Sequence, residues 1–164
     1  MKQLTLSSSI SFEGTALHTG ENVHVTLNPC DANTGIIFVR TDLDNVEIPA
    51  DVKFVNRTNR QTILQKDDAS VGTVEHLMAS LYALGIDNCR IDLDGSEIPI
   101  LDGSAAPLVA LIEKAGITEQ DEDKNYYVLE ETFTYKSEDG GEIMAIPSEE
   151  FEVCLLYTSD AADE

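Results

Sequence analysis

The chain has 164 residues, and 31 acidic against 10 basic residues give it a formal net charge of −21 at pH 7. This length fits one ordinary domain or at most two small ones. So negative a surface repels phosphate backbones and anionic lipid, so we exclude nucleic-acid binding and charge-driven membrane binding. No segment is apolar enough to span a membrane, and residues 1–11 lack the apolar core of a signal peptide, which predicts a cytoplasmic protein.

The cysteines indicate neither a disulfide framework nor a metal-binding pair. There are three, Cys30, Cys89 and Cys154, and they are far apart in the sequence and form no CxxC motif. Cys89 alternates with Ile91 and Leu93. This alternation predicts that Cys89 is a core residue of a strand.

Strand patterns dominate the first 70 residues or so. Apolar and polar residues alternate strictly from Asn22 to Leu27, which predicts a half-buried strand and puts His24 on its polar face, without a functional role. Before it, residues 4–12 fit an extended segment and residues 14–20 fit a loop. The later predicted elements are a central strand at residues 35–40, an irregular stretch at 45–51, a short strand at 62–64 and a turn at 66–68.

A helix is predicted over residues 73–84. Thr73 suits its N-cap, and Gly85 suits the C′ position that follows it. Glu75 and His76 therefore lie on the first turn, outside the apolar stripe, where the positive end of the helix dipole favours nearby negative charge. The apolar residues that recur at helical spacing are Val74, Leu77, Met78, Leu81 and Leu84.

A second helix is predicted from Pro107, which suits its first position, to the residue before Gly116. An alternating strand at 88–93 precedes it. Because strands dominate and the helices are segregated, we predict an α+β fold, a mixed β-sheet with two helices packed on one face. The remaining predicted elements are an acidic linker at residues 119–124, strands at 126–129, 133–135 and 142–146, and a hairpin turn at 138–141.

Residues 154–164 do not fit any of these patterns. An apolar strand stops there, and a small acidic tail without helical pattern begins. The string resembles translated sequencing-adapter read-through, which would make it non-native and the chain a truncated piece of a longer protein. The alternative is a natural disordered tail.

Glu75 and His76 offer two of the groups that a hydrolytic metal site needs. A catalytic zinc ion takes three protein ligands and keeps an open position for water, and an adjacent carboxylate accepts the proton of that water. The sequence shows no recognisable pattern for two further ligands, no HExxH motif, no nucleophile elbow and no phosphate-binding glycine loop. The residues alone therefore leave two interpretations open. One is an incomplete metal site, and the other is a solvated acid beside an ordinary half-buried histidine.

Six strings, in order along the chain, resemble the zinc-dependent UDP-3-O-acyl-N-acetylglucosamine deacetylases, which carry out the committed step of lipid A synthesis in Gram-negative bacteria. One such string would be weak evidence, but six in family order, ending in EIPILDGSAAP, are specific. The strings are residues 14–20, 32–35, 40–43, 73–77, 84–88 and 97–107.

The resemblance implies that residues 1–153 are the N-terminal domain, the first of two domains of similar fold. It implies that His76 is a zinc ligand and that Glu75 is the general base on the zinc-bound water that attacks the acetamide carbonyl. His18 would lie near the substrate, so it and the first turn of the helix should meet at one edge of the domain. Asp102 would shape the turn entering the second helix, for which a purely structural role is the alternative.

The resemblance also implies what this chain lacks. In the family the other two zinc ligands, a His and an Asp of an HKxxD helix, come from the second domain, and the only other histidines here are His18 and His24. Some members also carry a fused hydroxyacyl-carrier-protein dehydratase. We therefore expect zinc-dependent deacetylation of the UDP-sugar by the longer protein and an inactive fragment. The alternative is a stand-alone non-catalytic α+β binding module.

Overall fold

The computed structural model describes residues 1–138 and 140–155. The chain divides into two compact units, Met1–Lys124 and Asn125–Glu164. The predicted domain boundary after residue 153 falls within the second unit and stays a prediction. The predicted non-native tail also stays a prediction, because its residues 156–164 lie outside the described part.

The first unit contains ten strands and two α-helices, with a short 3₁₀ turn at Val52–Phe54. Its helices are α1 (Glu75–Ala83) and α2 (Ala106–Ala115). Its strands are β1 (Lys2–Leu6), β2 (Ile10–Thr15), β3 (Asn22–Asn28), β4 (Ile36–Arg40), β5 (Val46–Pro49), β6 (Val55–Arg57), β7 (Ile63–Lys66), β8 (Ala69–Val71), β9 (Cys89–Leu93) and β10 (Ile117–Asp123).

A five-stranded mixed sheet organises this unit, with the strand order β2-β3-β9-β4-β5. The β4–β9 pair is parallel and the other three pairs are antiparallel. The unit also contains a three-stranded sheet, β6-β7-β8, and the antiparallel pair β1–β10. The predicted α+β fold with a mixed sheet is confirmed.

Burial of one face of the five-stranded sheet follows from the alternation in its strands. In β3 the side chains of Val25 and Leu27 are fully buried, while His24 faces outward, as predicted. The strand registers place Leu27, Ile91 and Phe38 on one rung of that buried face. Each such side chain contributes roughly 1.5–3 kcal/mol when it leaves water.

Both helices pack into the core on this buried face. Helix α1 contributes Leu77 and Leu81, and helix α2 contributes Leu108 and Ile112, all of which belong to the same cluster as the buried strand residues. The two helices also contact each other. Among the described residues, neither helix is long and apolar enough to cross a membrane.

Several predicted boundaries were wrong, and only for β10 is the cause a strand partner far away in the sequence. The presumed acidic linker at 119–124 belongs mostly to β10, which pairs with β1 and keeps its charged side chains exposed. The presumed irregular stretch at 45–51 contains β5, an edge strand that ends at Pro49, where a missing N–H is tolerated. Strand β8 was not predicted at all.

The second unit shows one hairpin within its described residues. Strand β11 (Phe133–Lys136) pairs antiparallel with β12 (Glu142–Ala145), so two of the three strands predicted after the second helix are confirmed. The third, predicted at 126–129, forms no strand. The hairpin side chains of Phe133, Tyr135 and Ile143 are all exposed.

The described cysteines carry free thiols. Cys89 is a core residue of β9, as predicted, and its burial raises the pKa of its thiol to about 12. The thiol therefore stays protonated and packs as a small apolar side chain.

A buried amide joins the strands at the start of β9. The side-chain nitrogen of Asn88 donates to Gln3 Oε1 at 2.8 Å and to Gln120 Oε1 at 2.7 Å. Its side-chain oxygen accepts from the backbone N–H of Gly35 at 2.8 Å. Asn88 therefore ties together β1, β10 and the segment that precedes β4.

Replacement of Asn88 by alanine should lower the free energy of unfolding by about 3 kcal/mol, because it leaves Gln3, Gln120 and the Gly35 N–H short of partners in a buried place. Urea unfolding of the 164-residue chain measures the loss, with an unchanged m-value. Asn59→Ala, at an exposed loop position, serves as the matched control and should change stability by less than about 0.5 kcal/mol. Equal stability of the two variants would contradict the role assigned to Asn88.

Candidate functional site

Glu75 is the first residue of α1, and its side chain is half-buried. Its Oε2 accepts a hydrogen bond from the backbone N–H of Thr62 at 3.1 Å. Its Oε1 has no hydrogen-bond partner among the residues that the structure describes. The carboxylate is thus held at one oxygen and free at the other, an arrangement that suits a proton acceptor.

His76 follows on the same turn and is also half-buried. Its backbone carbonyl accepts a hydrogen bond from the Ser80 hydroxyl at 2.8 Å, as the helix continues. Its imidazole makes no hydrogen bond within the described part of the chain. Either ring nitrogen is therefore available as a ligand for a metal ion.

The turn that leads into α1 is strained at Thr73. This residue has a φ of 54°, in the left-handed region that a β-branched side chain rarely adopts. Its hydroxyl lies 2.7 Å from Glu97 Oε1 and 3.2 Å from Gln61 Oε1. The predicted N-cap at Thr73 is therefore wrong, because the hydroxyl bonds to distant side chains. The N-cap is Val74, without a side-chain cap.

Glu97 is a buried carboxylate that connects this turn to the loop between β2 and β3. Only 1% of its surface is exposed. Its Oε2 accepts from the backbone N–H groups of Thr19 at 2.9 Å and of His18 at 3.1 Å, while its Oε1 accepts from the Thr73 hydroxyl. Burial alone would raise the pKa of Glu97, but these donors outweigh it and lower that pKa, so the group is ionised at neutral pH.

The His18 loop and the start of α1 are therefore adjacent, as the sequence analysis predicted. What holds them together is the backbone of the loop, through Glu97. The His18 side chain itself is exposed. Its imidazole makes no hydrogen bond to any described group, so it is accessible to a ligand.

Asp102 serves the structure of the turn before α2. Its Oδ1 accepts from the backbone N–H and from the hydroxyl of Ser104, both at 2.9 Å. The Ser104 hydroxyl in turn accepts from the N–H of Ala106 at 3.3 Å. The backbone N–H of Ser104 is the main cause of the lowered pKa of Asp102. These local bonds support the structural alternative for Asp102.

The described residues do not make a zinc site by themselves. None of them form a group of three or more His, Cys, Asp or Glu side chains placed to hold a metal ion. A catalytic zinc ion takes three protein ligands. His76 has the right donor chemistry for one of them, and the described part of the chain supplies no second and third.

Glu97 is the site residue that the sequence analysis missed. It follows the turn sequence Asp94-Gly95-Ser96, where an acid is normally solvated, so nothing local indicated its burial. Its partners lie 24 residues away at Thr73 and 79 residues away at His18. The one available signal was its place at the start of the 97–107 string.

Comparison with known proteins places these features in a family. Residues 3–162 match the family model described as LpxC, UDP-3-O-acyl N-acetylglycosamine deacetylase. A relative in Chromohalobacter salexigens, named UDP-3-O-acyl-N-acetylglucosamine deacetylase, is 44% identical over 98% of this chain and 53% of its own length. A relative of the same name in Myxococcus xanthus is 52% identical over 77% of this chain and 41% of its own length.

A third relative shows the same match within a larger protein. The bifunctional enzyme LpxC/FabZ of Chlorobaculum tepidum is 45% identical over 94% of this chain, which covers 33% of that enzyme. The chain thus spans about a third to about half the length of these relatives. On the extent of the family match and the level of identity, the chain belongs to the UDP-3-O-acyl-N-acetylglucosamine deacetylase family.

Proposed function

We propose that the longer protein containing this chain hydrolyses the acetamide of UDP-3-O-acyl-N-acetylglucosamine in a zinc-dependent reaction. This is the committed step of lipid A synthesis in Gram-negative bacteria, and we propose the cytoplasm as its location. One observation carries the proposal. Glu75, held at one oxygen and free at the other, stands next to His76, whose imidazole has no partner among the described residues.

Each residue has a distinct part in this proposal. Glu75 accepts a proton from the attacking water through its free oxygen, and the N–H of Thr62 keeps the carboxylate oriented. His76 supplies one zinc ligand. Zinc, when bound, polarises a carbonyl oxygen and lowers the pKa of water to about 7. The exposed imidazole of His18 lies in a loop fixed to the start of α1 and contacts the substrate.

The remaining zinc ligands come, in this proposal, from the part of the longer protein outside this chain. The match to about half the length of the relatives supports this, because those proteins have a comparable length of chain beyond the region matched here. The lack of a three-ligand group among the described residues is consistent with it. The site would thus be completed by a second domain.

The test is release of the free amine from UDP-3-O-acyl-N-acetylglucosamine, measured for the 164-residue chain and for the longer protein. We expect turnover by the longer protein, loss of turnover with a zinc chelator and recovery with added zinc. We expect no turnover by the chain alone. His24→Ala, on the outer face of β3, is the control and should keep full activity. A longer protein that binds the UDP-sugar without hydrolysing it would instead support the non-catalytic binding module.

A further inference from the structure

We propose that Glu97 is a positioning residue, whose buried carboxylate fixes the His18 loop and the Thr73 turn relative to each other and so sets the placement of Glu75, His76 and His18. This inference rests on the proposed function, which assigns the roles of Glu75, His76 and His18. The contacts of Glu97 themselves are independent of it.

The first argument is the cost of burying a charge. A carboxylate with 1% of its surface exposed is expensive to bury unless donors surround it. Glu97 accepts from two backbone N–H groups of one loop and from the hydroxyl of another. A carboxylate placed only for stability could be replaced by an apolar side chain of similar volume. Unlike an apolar side chain, this carboxylate accepts hydrogen bonds from two separate segments at once.

The second argument is the strain at Thr73. A β-branched residue at a φ of 54° persists only where its surroundings hold it. The hydroxyl of Thr73 bonds to Glu97, and the backbone there is also fixed by its neighbour, since the N–H of Gly72 donates to Ser96 O at 2.9 Å. Two residues later the chain reaches Glu75. The direction in which α1 begins therefore depends on how Glu97 holds Thr73.

The contact between Glu97 and Thr73 can be changed without changing Glu97 itself. Thr73→Val keeps the branched shape and removes the hydroxyl, while Thr73→Ser keeps the hydroxyl and removes the branch. Glu97→Gln keeps the size and an acceptor oxygen but removes the charge, which weakens the bonds to the loop N–H groups. The control is Asn88→Ala, which removes a buried side chain at the other end of β9 from Glu97.

The first measurement is amide hydrogen exchange in the 164-residue chain. Glu97→Gln should speed the exchange of the His18 and Thr19 amides by about tenfold, because bonds to a charged acceptor are stronger than bonds to a neutral one. Asn88→Ala should leave the exchange of these two amides unchanged relative to the global exchange rate. This measurement does not depend on any catalytic activity.

The second measurement is deacetylation by the longer protein, well below the melting temperature of each variant. Thr73→Val should lower kcat by roughly tenfold to a hundredfold with a smaller change in KM, because a displacement of about 1 Å at a catalytic group costs up to about a hundredfold. Thr73→Ser should recover most of that loss. Asn88→Ala should keep kcat.

The outcomes separate this inference from the proposed function. If Glu97→Gln leaves the two amides protected, or if Thr73→Ser is as slow as Thr73→Val, Glu97 does not position the site. If the Glu97 and Thr73 variants lose stability but keep the protection of the two amides and the kcat, as we expect for Asn88→Ala, the role of Glu97 is structural only. If the unaltered longer protein shows no deacetylation, the proposed function fails, and the exchange experiment still decides whether Glu97 holds the two segments.

Discussion

Replacement of Glu75 by glutamine in the longer protein should lower kcat by a factor of about 10² to 10⁴, the usual contribution of a positioned general base. Glutamine keeps the length of the side chain and an oxygen that accepts from the N–H of Thr62. It cannot accept a proton at neutral pH. The variant should therefore retain the fold and the bound zinc and lose the rate, which a single-turnover assay with zinc analysis measures directly.

The control for this variant is Glu113→Gln, which changes an exposed acid on α2 in the same way. It should keep kcat within about twofold, since exposed substitutions away from a site have small effects. A Glu75→Gln protein that retains a third or more of the unaltered rate would show that the base is another group. Loss of zinc from that variant would instead show that Glu75 is a ligand.

Replacement of His76 by alanine should remove stoichiometric zinc binding from the longer protein and, with it, turnover. Loss of an outer partner of a ligand already costs about 10–100-fold in metal affinity, and loss of a ligand itself costs more. The 164-residue chain should bind zinc only weakly, because its described residues offer a single strong donor at this place. Calorimetric zinc titration of the chain, the longer protein and the variant measures all three affinities.

His24→Ala is the matched control for zinc binding, since it removes a histidine from the exposed face of β3, away from the candidate site. It should leave the zinc affinity of the longer protein unchanged. Tight, one-to-one zinc binding by the 164-residue chain alone would contradict the proposal that the site is completed outside it. So would full zinc occupancy of the His76→Ala protein.

Local periodicity was enough to predict the core of the fold. The alternation in β3 and β9 and the helical spacing in α1 each place their apolar residues on the side that is buried. These patterns reflect burial of one face, which a single element reveals by itself. Strands β5 and β10 carry too few apolar residues to show such a pattern. Strand β10 forms because β1, at the other end of the unit, pairs with it, and that information is non-local. Strand β5 pairs with the strand just before it, β4, but is too short to show a clear pattern.

The same difference between local patterns and non-local contacts applies to the candidate site. The position of Glu75 and His76 on the first turn of a helix could be predicted, because the helical spacing of the apolar residues marks that helix. The strain at Thr73 and the burial of Glu97 could not, because each depends on the other and on the His18 loop. Thr73 suited an N-cap by residue type, and its hydroxyl was used by a tertiary contact instead.

The pairing of β1 with β10 constrains how this unit forms during synthesis. The pair joins the start and the end of the first unit. The hydroxyl of Ser7, just after β1, lies 2.6 Å from the hydroxyl of Thr118 in β10, 111 residues further along the chain. At roughly 5–20 residues per second, a ribosome needs roughly 6–22 s to make the intervening segment. For that time β1 has an unpaired edge with Leu4 and Leu6 uncovered, and such an edge is where nascent chains aggregate. The unit can close only after residue 123 has left the exit tunnel, which makes the folding of this domain a late event in its own translation.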